Sequence, residues 1–260
     1  MPDTAPAARP RRRRLLAQRH PYLLTVLVFV ALCAINTALQ PTFLLPSVAV
    51  SNLSSFLPMT LVAIGQTYVI LGADIDLSIG TIVSLVNVIA ATIIDSMGGT
   101  ALSIVLGLTA GLAAGLLAGL LVRRRRFYHA LRATGGNIQA AYQTGLPVAR
   151  VRITAYVIAG FFAAVTGLVL VGETASGDPL VGASLTMSSI SAVVLGGTAL
   201  SGCAGSFAGS ILGAFVLGLI NNVIFFAQMP FEWQGLVQGL IILAALSGGV
   251  MMARGRSERS

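Results

Sequence analysis

Apolar residues along this chain fall into blocks near the length that crosses a bilayer, separated by short polar joints. A spanning helix needs about 20 predominantly apolar residues. On that pattern the sequence predicts spans near 22–39, 55–72, 79–95, 101–122, 153–173, 186–200, 206–228 and 233–253. The fold class expected is all-α, a polytopic transmembrane helix bundle of about eight spans. An even number returns the chain to its starting side, so both termini are expected in the cytoplasm. The block at 186–200 is short, rich in Ser and ends in "LGGTALSG", which suits a broken or re-entrant helix.

Composition agrees with the pattern. Of 260 residues, 56% are hydrophobic and only 9% charged, where a soluble domain carries roughly a quarter charged residues. The net charge of +8 would suit nucleic-acid binding, but its distribution does not. All sixteen basic residues are Arg. They lie in the N-terminal tail, between Arg123 and Arg152, and after the last apolar block. Positive charge gathers on cytoplasmic loops. The chain therefore divides into an Arg-rich tail at 1–20, a membrane domain at 21–253 with a cytoplasmic loop at 123–152, and a second tail at 254–260. The block beginning at Tyr22 is long for a signal peptide and no small-residue cleavage site follows it, so it reads as an uncleaved first span.

Several chemistries are missing. His20 and His129 have no second ligand at metal spacing, and Cys33 and Cys203 make no metal or disulfide framework, so no metal and no cofactor are expected. No nucleophile elbow occurs. A phosphate-binding P-loop needs a Lys, and the chain has none. The protein is expected not to be an enzyme with a nucleotide site of its own.

What remains is concentrated in a few joints. "GADIDLSIG", residues 72–80, puts Asp74 and Asp76 between two apolar blocks. Gly72 and Gly80 permit a chain break. Asp76 and Ser78 precede an apolar run and suit a cap on the next helix. An Asp at membrane depth is also costly and commonly functional, and both readings stand. Asp74 is read as a solvated loop residue. Gln66 lies in the preceding apolar block and Asn221–Asn222 in the seventh. Paired Asn residues in a span hydrogen-bond across helices.

In the Arg-rich loop, "NIQAAYQTG" predicts a short helix starting near Asn137 and stopped by Gly145 and Pro147. That is more order than headgroup anchoring needs, and it suits a docking helix for a soluble partner. Finally, Gly107, Gly111, Gly115 and Gly119 line one face of the fourth span, and Gly205, Gly209 and Gly213 repeat the spacing in the seventh. Such stripes allow helix backbones to approach closely.

"GQTYVILGADIDLSIG", "ALRATGGNIQAAYQTGLPVARVRITAYVIAGFFAAVTGLVLV" and "AVVLGGTALSGCAGSFAGSILGAFVLGLINNVIFF" together resemble, in order, the monosaccharide (ribose/xylose-type) branch of ABC importer permeases. The resemblance runs from about Phe56 to Met252. It implies that Gln66, Asp76, Ser78, Gly80, Asn221 and Asn222 belong to a translocation pathway and its broken helix. It implies an ATPase-coupling role for Gly135, Gly136, Asn137, Ala140, Ala141 and Gly145. It implies as partners an ABC ATPase subunit, an extracytoplasmic sugar-binding protein and a second permease copy in the bacterial inner membrane. There are two departures. Val122 runs directly into "RRRRFYHALRATGGN" where the family carries further membrane segments, so a central pair of spans is missing. Ala73-Asp74 stands where the family has Gly and an uncharged residue. Two alternatives stay open: a non-transporting permease remnant, and a secondary transporter built on broken helices.

Overall fold

The computed structural model describes residues 23–97 and 125–230, with short pieces between 232 and 243. The span expected at 101–122 with its four glycines, the tails at 1–20 and 254–260, and most of the span at 233–253 lie outside the described residues. Within them all regular structure is helical: α1 Leu23–Leu39, α2 Pro46–Leu71, α3 Ile79–Met97, α4 Arg125–Gly136, α5 Ile138–Gln143, α6 Val148–Thr174, α7 Val181–Leu195 and α8 Phe207–Phe226. Three of these, α2, α6 and α8, are long and apolar enough to cross a membrane; α1, α3 and α7 hold shorter apolar stretches.

α2 is the centre of the bundle and packs against α6, α7 and α8. From Met59 to Leu71 every residue but Ile64 is buried. The polar residues on this buried stretch are accommodated locally. Thr60 donates to the Phe56 carbonyl at 2.8 Å and Thr67 to Ala63 at 2.6 Å, both one turn back. Such back-bonding satisfies a hydroxyl without any partner from outside the helix. Other amides and hydroxyls bond between helices. Asn36 of α1 donates to the Leu219 carbonyl of α8 at 3.2 Å, and Thr25 donates to the last carbonyl of α7, Leu195, at 2.6 Å.

Three helix boundaries differ from the hydropathy blocks. α2 begins at Pro46 rather than near 55, and α6 at Val148 rather than 153. Both extensions carry polar residues (Ser47, Ser51, Asn52; Arg150, Arg152), so the helix outruns the apolar window that hydropathy detects. Pro46 fits its place, since a first-turn residue has no intrahelical bond to lose. The third difference is α7, which runs Val181–Leu195 instead of 186–200. Gly196 ends it, and residues 196–206 form a loop with Gly197 and Gly202 at positive φ. α4 was not expected at all: the loop at 123–152 holds two helices. The signal was present in Phe127, Leu131 and Thr134, which recur at helical spacing and place Leu131 and Thr134 fully inside.

Close helix contacts are made where side chains are absent. A Cβ on Gly209 would lie 2.1 Å from the Gly196 carbonyl oxygen, and one on Gly213 2.0 Å from that of Ala192, so α7 and α8 meet backbone to backbone. Gly205 precedes α8 and sits against Thr198.

Candidate functional site

The break between α2 and α3 is a seven-residue joint, 72–78, built from hydrogen bonds that the sequence provides within a few positions. The Gly72, Ala73 and Asp74 N–H groups bond back to the carbonyls of Val69 and Ile70. Ala73 takes a left-handed φ of 61°, a conformation that costs a residue with a Cβ. Asp76 turns inward and is 4% exposed, while Ile75 and Leu77 project outward. Asp76 Oδ1 accepts from the Ser78 N–H at 2.8 Å and from the Ser78 hydroxyl at 2.6 Å. The Ser78 carbonyl then accepts the first helical bond, from Ile82 N–H at 3.0 Å. Asp76 thus forms a turn that delivers the chain into α3, two positions before the cap position, which Ser78 holds.

Gln66 closes the joint from the side. It is fully buried on α2. With its amide turned so that donor meets acceptor, it donates to the Asp76 carbonyl at 3.3 Å and accepts from the Asp76 N–H at 3.2 Å. Both backbone groups of the one inward-facing joint residue are therefore served by a single side chain. Gly80 has a different setting. A Cβ there would fall 2.1 Å from the Gly182 carbonyl and 2.0 Å from the Thr186 hydroxyl, where the first turn of α3 crosses the first turn of α7.

Asp74 is not a solvated bystander. Arg152, in the first turns of α6, forks onto it, Nε to Oδ2 at 2.6 Å and Nη2 to Oδ1 at 2.5 Å. Their side chains are 40% and 20% exposed. The apolar pattern could not reveal this pair, because the partners are 78 positions apart.

The Arg-rich segment is fastened to the same joint. Phe127 and Tyr128 of α4 pack their rings near Tyr68 of α2 and Phe207 of α8, which places α4 across the end of the bundle. Gly135 lies against the last turn of α2, where a Cβ would sit 2.0 Å from the Leu71 carbonyl, and Gly136 faces Cys203. The 196–206 loop completes the knot: Cys203 N–H donates to that Leu71 carbonyl at 3.2 Å, Arg132 Nε donates to the Cys203 carbonyl, and the Tyr128 hydroxyl donates to the Gly205 carbonyl at 3.1 Å. Arg132, Cys203 and Arg152 were missed by sequence reasoning. Cys203 acts here through its backbone, so its residue type carried no signal.

α5 projects from this knot. Asn137 is its N-cap, with Oδ1 accepting from the Ala140 N–H at 3.0 Å. Ala141 is buried against the knot side, while Ile138 and Tyr142 are 44% and 75% exposed. Gly145 ends it with φ 79°. The exposed side chains Ile138, Gln139, Tyr142 and Gln143 line a shallow hollow with the half-buried Val148.

Asn221 and Asn222 are remote from all of this. Asn222, near the end of α8, donates to Asn52 Oδ1 in the second turn of α2 at 3.2 Å. Asn52 and Gln66 are fourteen positions apart on one helix, about 21 Å at 1.5 Å per residue. The structure thus brings Gln66, Asp76 and Ser78 together and holds the two Asn residues near the opposite end. Asn222, but not Asn221, borders a cavity there with Gln40, Ser47, Ser51, Asn52 and Phe225.

These features define a multi-pass helical membrane protein in which a broken central helix is knotted to a helical segment with an exposed face. Residues 120–246 match the family described as "Branched-chain amino acid transport system / permease component". The probable ABC transporter permease protein YphD of Escherichia coli is 33% identical over 166 residues, 64% of this chain and 50% of that protein. The xylose transport system permease protein XylH of Escherichia coli is 35% identical over 126 residues, 48% of this chain and 32% of that protein. The ribose import permease protein RbsC of Bacillus subtilis is 36% identical over 126 residues, 48% of this chain and 39% of that protein. The resemblance to the sugar-type permeases of ABC importers is therefore borne out. The chain spans about a third to a half of the length of these relatives. No solved structure matches.

Proposed function

We propose that this chain is the membrane-spanning permease subunit of an ABC importer that moves a monosaccharide across the bacterial inner membrane. ATP is hydrolysed by a separate ATPase subunit, an extracytoplasmic binding protein delivers the sugar, and a second permease copy completes the pathway. The bundle has about eight spans with both termini in the cytoplasm, a topology supported by the Arg distribution. The observation that carries the reading is α5: one face is held by the knot at the broken helix, and the other presents Ile138 and Tyr142 outward. A partner seated on that face acts on the joint through Gly135, Arg132 and Arg152, and nucleotide bound to the partner biases the bundle between two packed states. Such a face gives a secondary transporter no service. The direct run of Val122 into the Arg-rich segment, where the resemblance implies further membrane segments, favours one other reading, a remnant that assembles with a longer permease without transporting.

The test is capture of the cognate ABC ATPase subunit. Tyr142→Ala, or introducing charge with Gln139→Glu and Gln143→Glu, is expected to abolish co-purification while membrane insertion persists; unchanged capture would sink the docking role. ATP-dependent sugar entry into proteoliposomes lacking any longer permease is expected, and its absence despite ATPase capture would support the remnant.

A further inference from the structure

The joint at 72–78 is held in two halves by different partners. Residues 75–78 lean on α2: Gln66 serves the backbone of Asp76, and Asp76 Oδ1 accepts from the Ser78 N–H at 2.8 Å. Residues 72–74 are tied to the last turn of α2 by their own N–H groups, and to α6 by the Arg152 fork on Asp74. Among the described residues that fork is the only ion pair, and no other hydrogen bond joins the joint to α6.

The first half of the joint is also under strain. Ala73 holds a left-handed φ of 61° despite its Cβ. The facing 196–206 loop presses on it, since a Cβ on Gly202 would lie 2.7 Å from the Ala73 Cβ, and that loop carries a second such residue, Cys203 at φ 65°. Strained backbone persists only where its surroundings over-determine it, and it gathers at parts that switch. Here the loop bears on Ala73 from one side and the fork fixes the next residue. The fork is the contact that can part without moving a helix. α6 stays anchored beside it, because Val151 and Ala155 are buried in one apolar cluster with Tyr68, Leu71 and Leu131. The joint has room to move, because Ile75 and Leu77 are 47% and 61% exposed.

The energetics match that role. An exposed ion pair adds little stability, while a two-point guanidinium–carboxylate contact fixes direction and distance. This pair therefore sets geometry more than it holds the fold. Ala73 and Asp74 are also where the chain departs from the family resemblance.

We infer that the Asp74–Arg152 fork is a latch that holds the joint shut and keeps Asp76 turned inward. Closed, it pins the strained half of the joint to α6. Open, it leaves Ala73 free to relax, and Gln66 alone retains Asp76. Asp74 and Arg152 are positioning residues for the joint. The latch stands on these contacts; only its place in transport, as the link from α5 and the adjoining α6 to the broken helix, rests on the permease reading.

Hydrogen–deuterium exchange on the full chain in detergent micelles, read by mass spectrometry, tests it. The N–H groups of Gly72, Ala73, Asp74, Asp76 and Ser78 are all bonded within the joint or to α2, so their exchange reports its opening. Asp74→Asn and Arg152→Gln are each expected to speed exchange across 72–78 by about threefold to fivefold, the shift an exposed pair produces in a local equilibrium. Exchange in α8 is expected to be unchanged, which also shows that the variants remain folded. The double variant is expected to exchange no faster than either single one, because both changes remove the same contact. Unchanged exchange at 72–78 in the single variants, equal acceleration in α8, or additive acceleration in the double variant would overturn the latch. ATPase capture by the wild-type chain with no acceleration in the variants would leave the permease reading and sink the latch. Localised acceleration without ATPase capture would do the reverse.

Discussion

Gln66→Leu isolates the hydrogen bonds that hold the broken helix. Leucine nearly preserves the volume and removes only the amide. Gln66 is fully buried, and its amide serves both the N–H and the C=O of Asp76, which is itself 4% exposed. Removing it leaves two backbone groups without a partner, at a cost of about 1–3 kcal/mol each. Interhelical bonds in bilayers average only about 0.6 kcal/mol, because freed groups find other partners. The joint offers few: Asp76 Oδ1 is already engaged by Ser78, and the preceding N–H groups by Val69 and Ile70. The lower half of the first range therefore applies, giving about 2–4 kcal/mol for the pair. The control is Thr67→Val on the same turn, equally buried, whose hydroxyl only bonds back to Ala63. Its loss is expected to cost about 1 kcal/mol or less. Reversible unfolding in mixed detergent–SDS micelles, followed by circular dichroism, measures both. If Gln66→Leu falls within about 0.5 kcal/mol of Thr67→Val, the limit of ordinary additivity error, the amide does not hold the joint.

Other outcomes are expected, all but the last with the same assay. Ala73→Gly removes the left-handed strain at φ 61° and should stabilise the chain by about 1 kcal/mol; a loss of stability would show that the Ala73 methyl packing against Gly202 matters more. Gly209→Ala forces a Cβ to 2.1 Å from the Gly196 carbonyl and should cost about 1–3 kcal/mol. Gly160→Ala, whose nearest neighbour is the tip of Ile82 at 3.9 Å, should be neutral or stabilising by up to about 1 kcal/mol. Asp74→Asn should cost no more than about 1 kcal/mol, because the Arg152 partner is 40% exposed and screened, and the loss should shrink in high salt. Asn137→Ala removes the cap bond to Ala140 and should weaken the helix by about 1 kcal/mol, read as reduced ATPase capture with insertion unchanged.

Some of this was legible along the chain because its cause is local. Asn137 caps α5 because its side chain reaches an N–H three residues on, and Gly145 ends that helix because only a residue without a Cβ takes its φ cheaply. The break after Leu71 could be read from two glycines and two acids for the same reason. α4 is not evident from hydropathy, although its Phe127, Leu131 and Thr134 spacing is available, because the arginine run leading into it masks an amphipathic helix. The starts of α2 and α6 were set too late because hydropathy measures fitness for lipid, while helicity continues wherever backbone bonds can close.

The sequence by itself determined that the chain is a helical membrane protein, that a break follows Leu71, and that a short capped helix lies in the Arg-rich segment. Those properties follow from transfer of side chains to lipid and from bonds spanning a few residues. Only the tertiary structure decided that Asp74 meets Arg152 of α6, that the Cys203 backbone ties the 196–206 loop to Leu71 and Arg132, and that Gln66 belongs with Asp76 while Asn222 belongs with Asn52. These partners lie tens to more than a hundred positions apart, except the Gln66–Asp76 pair, whose contact depends on how the joint folds back on α2. Hydrogen bonds and ion pairs act over a few ångströms, so their partners are fixed by how the helices pack and not by the order in which they occur.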